Sequence, residues 1–152
     1  MHVDQLERLA RAIHAAYARQ KIRSGAPQDV TGSWDELPES RRESSLKHAV
    51  DIEPKLARIG LRLAPAPAQD SIDELDLDDV EMLARDEHER WCAERRAAGW
   101  TLGETVDAER RITPWLIGWE ELPEDQREMD RVLVRAIPAA AAEAGLAVVR
   151  EA

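Results

Sequence analysis

The chain repeats itself, and the repeat constrains the fold more than any other feature of the sequence. His14-x-x-Tyr17 followed by Gly25 returns as His88-x-x-Trp91 followed by Gly99, an offset of 74 at both ends. Trp34-Asp35-Glu36-Leu37-Pro38 returns as Trp119-Glu120-Glu121-Leu122-Pro123, and "GLRL" at Gly60 to Leu63 returns as "GLAV" at Gly145 to Val148, both at an offset of 85. The copies therefore differ by one insertion of 85 − 74 = 11 residues, which falls within "WTLGETVDAERRITPWLIG" of the second copy. A duplicated unit of this size implies two supersecondary modules that bury their apolar faces together.

Each copy reads as helix, loop, helix, short strand. Leu6, Leu9, Ala10, Ile13, Tyr17 and Ile22 recur at helical spacing, and Gly25 with Pro27 stops that helix. Val80, Leu83, Ala84, Trp91 and Ala98 form the matching stripe, ended by Gly99. Pro38 and Pro123 are expected in the first turn of the next helices, where a missing N–H costs nothing. Gly60 and Gly145 suit a left-handed cap. Pro54 and Pro138 lie inside these helices, to kink, tighten or interrupt them. The expectation is a mainly α fold with long helices near 3–24, 38–59, 77–98 and 123–144. Two tandem helix-loop-helix repeats related by a pseudo-twofold would each end in a short strand, "LRLA" and "LAVVRE", the two strands pairing with each other. The first repeat runs about 3–64 and the second about 77–150, within one domain over 1–152. Residues 65–76, within "APAPAQDSIDELD", read as a Pro/Ala-rich, then acidic, linker.

At 152 residues with 43% apolar content, the chain can bury one real core. No stretch approaches a transmembrane span and the start is unlike a signal peptide. A single cysteine, Cys92, excludes an internal disulfide framework and fits a reducing compartment, so a soluble cytoplasmic protein is expected. The net charge of −10 disfavours nucleic acid as a partner. It leaves room for a small anionic ligand, which feels local cations more than the total.

Several residue types invite a chemical reading. His88 and Cys92 stand at i and i+4, the spacing of a metal pair or a Cys–His nucleophile. A metal needs at least a third protein ligand and a nucleophile needs oxyanion donors, and neither stands out. His14 and His88, recurring at one place, suit a hydrogen bond to a loop carbonyl, and Cys92 a small buried side chain. Trp91 falls mid-stripe and suits the core, while Trp115 and Trp119 bracket an apolar turn that pins the insertion to the body. Trp100 admits two readings, a ring offered to a flat ligand or an anchor for the loop it begins. Arg95, Arg96, Arg110, Arg111 and Arg131 surround that loop; guanidinium forks suit phosphates, though nearby acids can claim each one. No phosphate-binding glycine loop, Ser-His-Asp order or His-Glu-x-x-His occurs.

The run "HERWCAERRAAGWTLGETVDAERRITPWLIGWEELPEDQREMDR" resembles the ryanodine-receptor repeat, the RyR domain, of the prokaryotic type. His-x-x-Trp, Gly-Trp-x-x-Gly, a basic pair, a Pro-Trp and a Leu-Pro-Glu helix start all fall in register from His88 to Arg131. The sequence departs from the family at Val106, Thr113 and Met129, and the first copy carries Ala26 where the second has Trp100. The resemblance implies two units about a pseudo-twofold, a sensor of nucleotide-derived ligands, and a Trp after the helix-ending Gly that stacks on a base.

The expected function is a non-enzymatic ligand-binding sensor, with no catalytic residue, metal or cofactor. A nucleotide or nucleotide-derived anion would sit between the repeats on Trp100, Arg111, Arg131, Arg95 and His88. One alternative is a protein–protein or homodimer scaffold that docks through the Trp115–Trp119 loop, and another a small enzyme acting on a nucleotide. No direct contact with a membrane is expected.

Overall fold

The computed structural model describes residues 3–23 and 34–151. Helices α1 (Val3–Arg23), α2 (Glu39–Arg58), α3 (Leu77–Ala97), α4 (Glu124–Arg135) and α5 (Ile137–Glu143) make up most of it. Strand β1 (Leu61–Pro65) pairs antiparallel with β4 (Leu146–Arg150), in register Leu63 to Val148. The insertion contains two two-residue strands, β2 (Thr101–Leu102) and β3 (Ile112–Thr113), paired in parallel. Short 3-10 turns at Trp34–Glu36 and Trp119–Glu121 lead into α2 and α4. One core joins Leu9, Ile52, Leu56, Leu83, Ile137 and Val148, all fully buried. Among the described residues, no helix is long and apolar enough to cross a membrane.

Contacts recur at the two sequence offsets. The rings of His14 and Trp34 lie 6.3 Å apart, and those of His88 and Trp119 lie 6.2 Å apart. Arg11 pairs with Asp35 as Arg85 pairs with Glu120. Leu37 and Leu122 are both buried behind matching backbone bonds, to Trp34 O and Trp119 O, each of 3.2 Å. Gly60 and Gly145 cap their helices at φ +74° and +76°, a conformation that a side chain resists.

Some details differ from the sequence reading. Pro38 and Pro123 are the caps that precede α2 and α4, with ψ near 150° (147° and 150°), so the helices start one residue later at glutamates. The helix continues through Pro54, which offers no N–H to the carbonyl of Val50; that residue is exposed, so water can replace the donor. The final helix is divided in two at Ala136, ahead of Pro138. The stretch 65–76 is more than a linker. Ala66 N–H donates to Gly145 O, Ile72 N–H donates to Val148 O at 2.8 Å, and Ile72 and Leu75 pack on the core. The helix stop at Gly25 and Pro27, and Ala26, lie outside the described residues.

Leu122 is 4% exposed and pins the entry to α4. Leu122→Ala is expected to cost about 2–5 kcal/mol in urea unfolding with an unchanged m-value; a cost near zero would show that the Leu-Pro turn is not a packing device.

Candidate functional site

The site grows from the end of α3. Gly99 N–H donates to Arg96 O and Trp100 N–H to Arg95 O at 2.9 Å, the two bonds of a Schellman cap. Gly99 takes φ +88°, and a Cβ there would meet Arg111 Nη1 at 3.4 Å. The cap folds Trp100 back over the helix it has just left. Its partner is Arg95, whose guanidinium lies 5.3 Å from the Trp100 ring and 5.5 Å from the Trp91 ring. Trp91 in turn stacks on His88, with centroids 6.0 Å apart and an interplanar angle of 17°. Residues 88, 91 and 95 share one helix face, so the stack His88–Trp91–Arg95–Trp100 is a consequence of helical spacing plus the cap.

Arg95 is half-buried and makes no ion pair with a carboxylate among the described residues. Burial pushes its pKa down while Glu94 pulls it up, and the Arg41 guanidinium pushes it down again. Arg41 and Tyr17 are therefore within electrostatic reach, which brings the first copy to the same place. Trp91 and Trp100 are both half-buried, so each keeps ring surface towards solvent. A guanidinium beside two indoles, with a second one within electrostatic reach, can accept an anion and a planar group together.

The sequence-predicted residues do not all converge here. Arg111 does come close: its backbone carbonyl accepts from Thr101 N–H at 2.8 Å, and its Nη1 donates to Ala98 O at 2.8 Å, capping α3. The side chain is exposed. Arg131 does not. It binds Glu81 through Nε (2.8 Å) and Nη2 (3.2 Å), also pairs with Glu124, and lies 5.7 Å from the Trp119 ring. Glu81 is in the first turns of α3, roughly 24 Å along the helix from its far end. The Arg131 bond in turn holds the Glu81 carboxyl below its ordinary range.

His88 is 4% exposed, and its Nε2 bonds Ile117 O at 2.6 Å. It ties the Trp115–Trp119 turn to α3, the loop-carbonyl role that its recurrence suggested. Cys92 Sγ lies 3.4 Å from the same Nε2, and burial pushes the thiol up, away from the thiolate a nucleophile requires. Among the described residues no group of three His, Cys, Asp or Glu side chains could hold a metal ion.

A family model described as the RyR domain matches residues 69–149, more than half of the chain. The chain belongs to the RyR domain family. No curated protein matches it in sequence. The matched span carries α3, its cap, the insertion and β4, and so holds Trp91, Arg95, Trp100 and Arg111 of this RyR domain's candidate site. Tyr17 and Arg41 stand outside it, in α1 and α2.

Behind the stack lies a charged interior that periodicity did not reveal. Glu87 is 1% exposed; its Oε2 pairs with His48 Nδ1 at 2.8 Å and with Lys55 Nζ, and Arg90 grips both of its oxygens. Burial acts to raise the Glu87 pKa, but His48, Lys55 and Arg90 overcome it and hold the carboxyl well below the ordinary range. Asp130, 3.8 Å from His88 Nδ1, goes the other way, raised to about 8 by burial and by the negative charge of Glu87. Its folded-state pKa thus exceeds an unfolded value of about 3.9, and the stability it contributes is present at acidic pH and lost as pH climbs from about 4 to 8. Asp130→Asn keeps a neutral side chain of the same shape. Urea unfolding at pH 5.5 and at pH 8 is expected to show the variant gaining on the parent as pH rises; a pH-independent difference would mean that Asp130 is ionised throughout.

Proposed function

We propose that this RyR domain is a non-enzymatic sensor of a small anionic, nucleotide-derived ligand. Arg95 carries the reading: a half-buried guanidinium between two indoles, without a carboxylate partner among the described residues, in a protein of net charge −10. Trp91 and Trp100 supply ring surface, Arg95 and Arg41 the charge for a phosphate, and Arg111 a further exposed cation at the rim. Arg131 and His88 drop out of the set, since both are engaged elsewhere. The paired contacts at two offsets support a near-twofold arrangement of two units in one domain, with the ligand where they meet.

The rival readings have less support. A docking scaffold would need the Trp115–Trp119 turn on the surface, whereas Leu116 and Trp119 are buried and Trp115 and Ile117 pack on the core. An enzyme would need an activated group, and the Cys92 thiol is pushed the wrong way. A reducing, cytoplasmic setting suits a protein with one unpaired, buried thiol.

Thermal-shift screening against a nucleotide panel tests the proposal. A ligand is expected to raise the melting temperature, and less so as salt is added, because the contacts are charge-assisted. Trp100→Ala is expected to weaken binding roughly 5- to 150-fold, from a stacking term of about 1–3 kcal/mol, with the fold retained. If the panel produces no shift, or if Trp100→Ala unfolds the protein, the sensor reading fails.

A further inference from the structure

Besides the β1–β4 pairing, the copies meet at two helix contacts of opposite chemistry. Helix α1 packs on α4 and α5, and the three helices bring Ala12, Ile13, Ala140 and the partly buried Leu133 to one apolar core, with Ala16 also buried on α1. Shifted by 74 or 85, the same positions on α3 and α2 are Asp86, Glu87, Arg90, Lys55 and His48. Asp86 and Glu87 join α3 to α2 through Arg58, Lys55 and His48, and Arg90 braces Glu87 and Glu94 within α3. The rungs run antiparallel: Ser44 Oγ to Glu94 at 3.3 Å, His48 and Lys55 to Glu87, and Arg58 to Asp86 at 2.5 Å. Space remains between them. A cavity of about 370 Å³ is lined by Lys47, Val50, Asp51, Pro54, Arg90, Ala93 and Glu94. A second of about 300 Å³, lined in part by Lys55, Arg58, Asp86 and Glu89, shares Asp51, Pro54 and Arg90 with it.

An apolar joint resists opening because water gains nothing from its side chains. A charged seam is different. Its desolvation cost nearly cancels its Coulombic attraction, so separating the partners lets each be hydrated again. Beyond the Ser44–Glu94 rung, within one helical turn of it, come Arg41 on α2 and Arg95 on α3, close enough for the charge of one to act on the other. Two like charges at the mouth push α2 and α3 apart, and an anion between them would reverse the sign.

We propose that α2 and α3 form a charge-operated clamp that opens about the apolar joint of α1 with α4 and α5, and that an anion bridging Arg41 and Arg95 closes it. The second half of this statement rests on the sensor reading above; the first does not. Closure of the clamp is then the conformational signal of the sensor, and α2 is the element that carries it.

Hydrogen-exchange mass spectrometry on the full chain tests both halves. In about 1 M sodium chloride, where the Debye length is about 3 Å, peptides covering 44–58 and 86–95 are expected to exchange several-fold faster than at low salt. Peptides from α1 and α5 are expected to be unchanged. Equal acceleration everywhere, or none, overturns the clamp, whether or not any nucleotide binds. The combined variant His48→Leu, Lys55→Ala, Glu87→Ile, Arg90→Ala copies the apolar residues of the matching joint and is expected to lose the salt effect. If it does not fold, the parent comparison still decides. Inorganic pyrophosphate at low salt is expected to slow exchange in the same two peptides, and Arg41→Ala to abolish that slowing. Pyrophosphate that raises the melting temperature without slowing the seam overturns the coupling. A salt-opened seam with no response to pyrophosphate or to any nucleotide upholds the clamp and removes the sensor reading.

Discussion

The way α3 meets α2 depends on one buried carboxylate. Glu87 sits fully enclosed in the middle of α3, where an unpaired charge would be prohibitive, and it is tolerable only because Lys55 and His48 reach it from α2 and Arg90 from its own helix. The contacts from Lys55 and His48 hold α2 against α3. They also fix the face of α3 that turns inward, and with it the direction in which His88, Trp91 and Arg95 point. Removing Glu87 itself would leave the buried Lys55 without its enclosed counter-ion, which costs far more than the pair contributes when intact. Asp130 feels the same charge from the α4 side and responds by holding its proton.

This polar interior and the stacked surface site are connected through single residues. Arg90 grips Glu87 with one part of its fork and Glu94 with another, and Glu94 accepts from Ser44. The next residue along is Arg95. The guanidinium beside Trp91 and Trp100 thus follows directly on a ladder of polar contacts that begins in the core.

Much of this was legible in the sequence, for identifiable reasons. The duplication located both glycine caps and both Leu-Pro turns, because those positions need a particular backbone or a particular shape. The pairing of "LRLA" with "LAVVRE" followed from the same logic. The placement of Pro38 and Pro123 was off by one residue, since proline fits a cap as well as a first turn. The apolar stripe of α3 suits Trp91 to the core, whereas the fold leaves it half-buried, between His88 and Arg95. Arg131 was grouped with Trp100 by family motif alone, whereas the fold puts it at the opposite end of α3. Glu87, Lys55 and His48 were missed altogether. A charged residue in an amphipathic stripe reads as a solvated edge, and only its partners in a distant helix reveal otherwise. A signal was nonetheless present: at the two offsets, these three align with Ile13, Ala140 and Leu133, all apolar.

The sheet has a consequence for how the chain acquires its shape. Strand β4 pairs with β1, 85 residues earlier at the Leu63–Val148 rung, and both faces of β4 are covered. Such a closure joins segments far apart in the chain and is slow to search for. A ribosome delivers β1 long before its partner, so β1 must wait with its N–H and C=O groups turned to water. The span matched by the family model includes β4 without β1. Expressed alone, that span would carry an apolar strand with a bare edge, open to pairing with the same strand of another molecule.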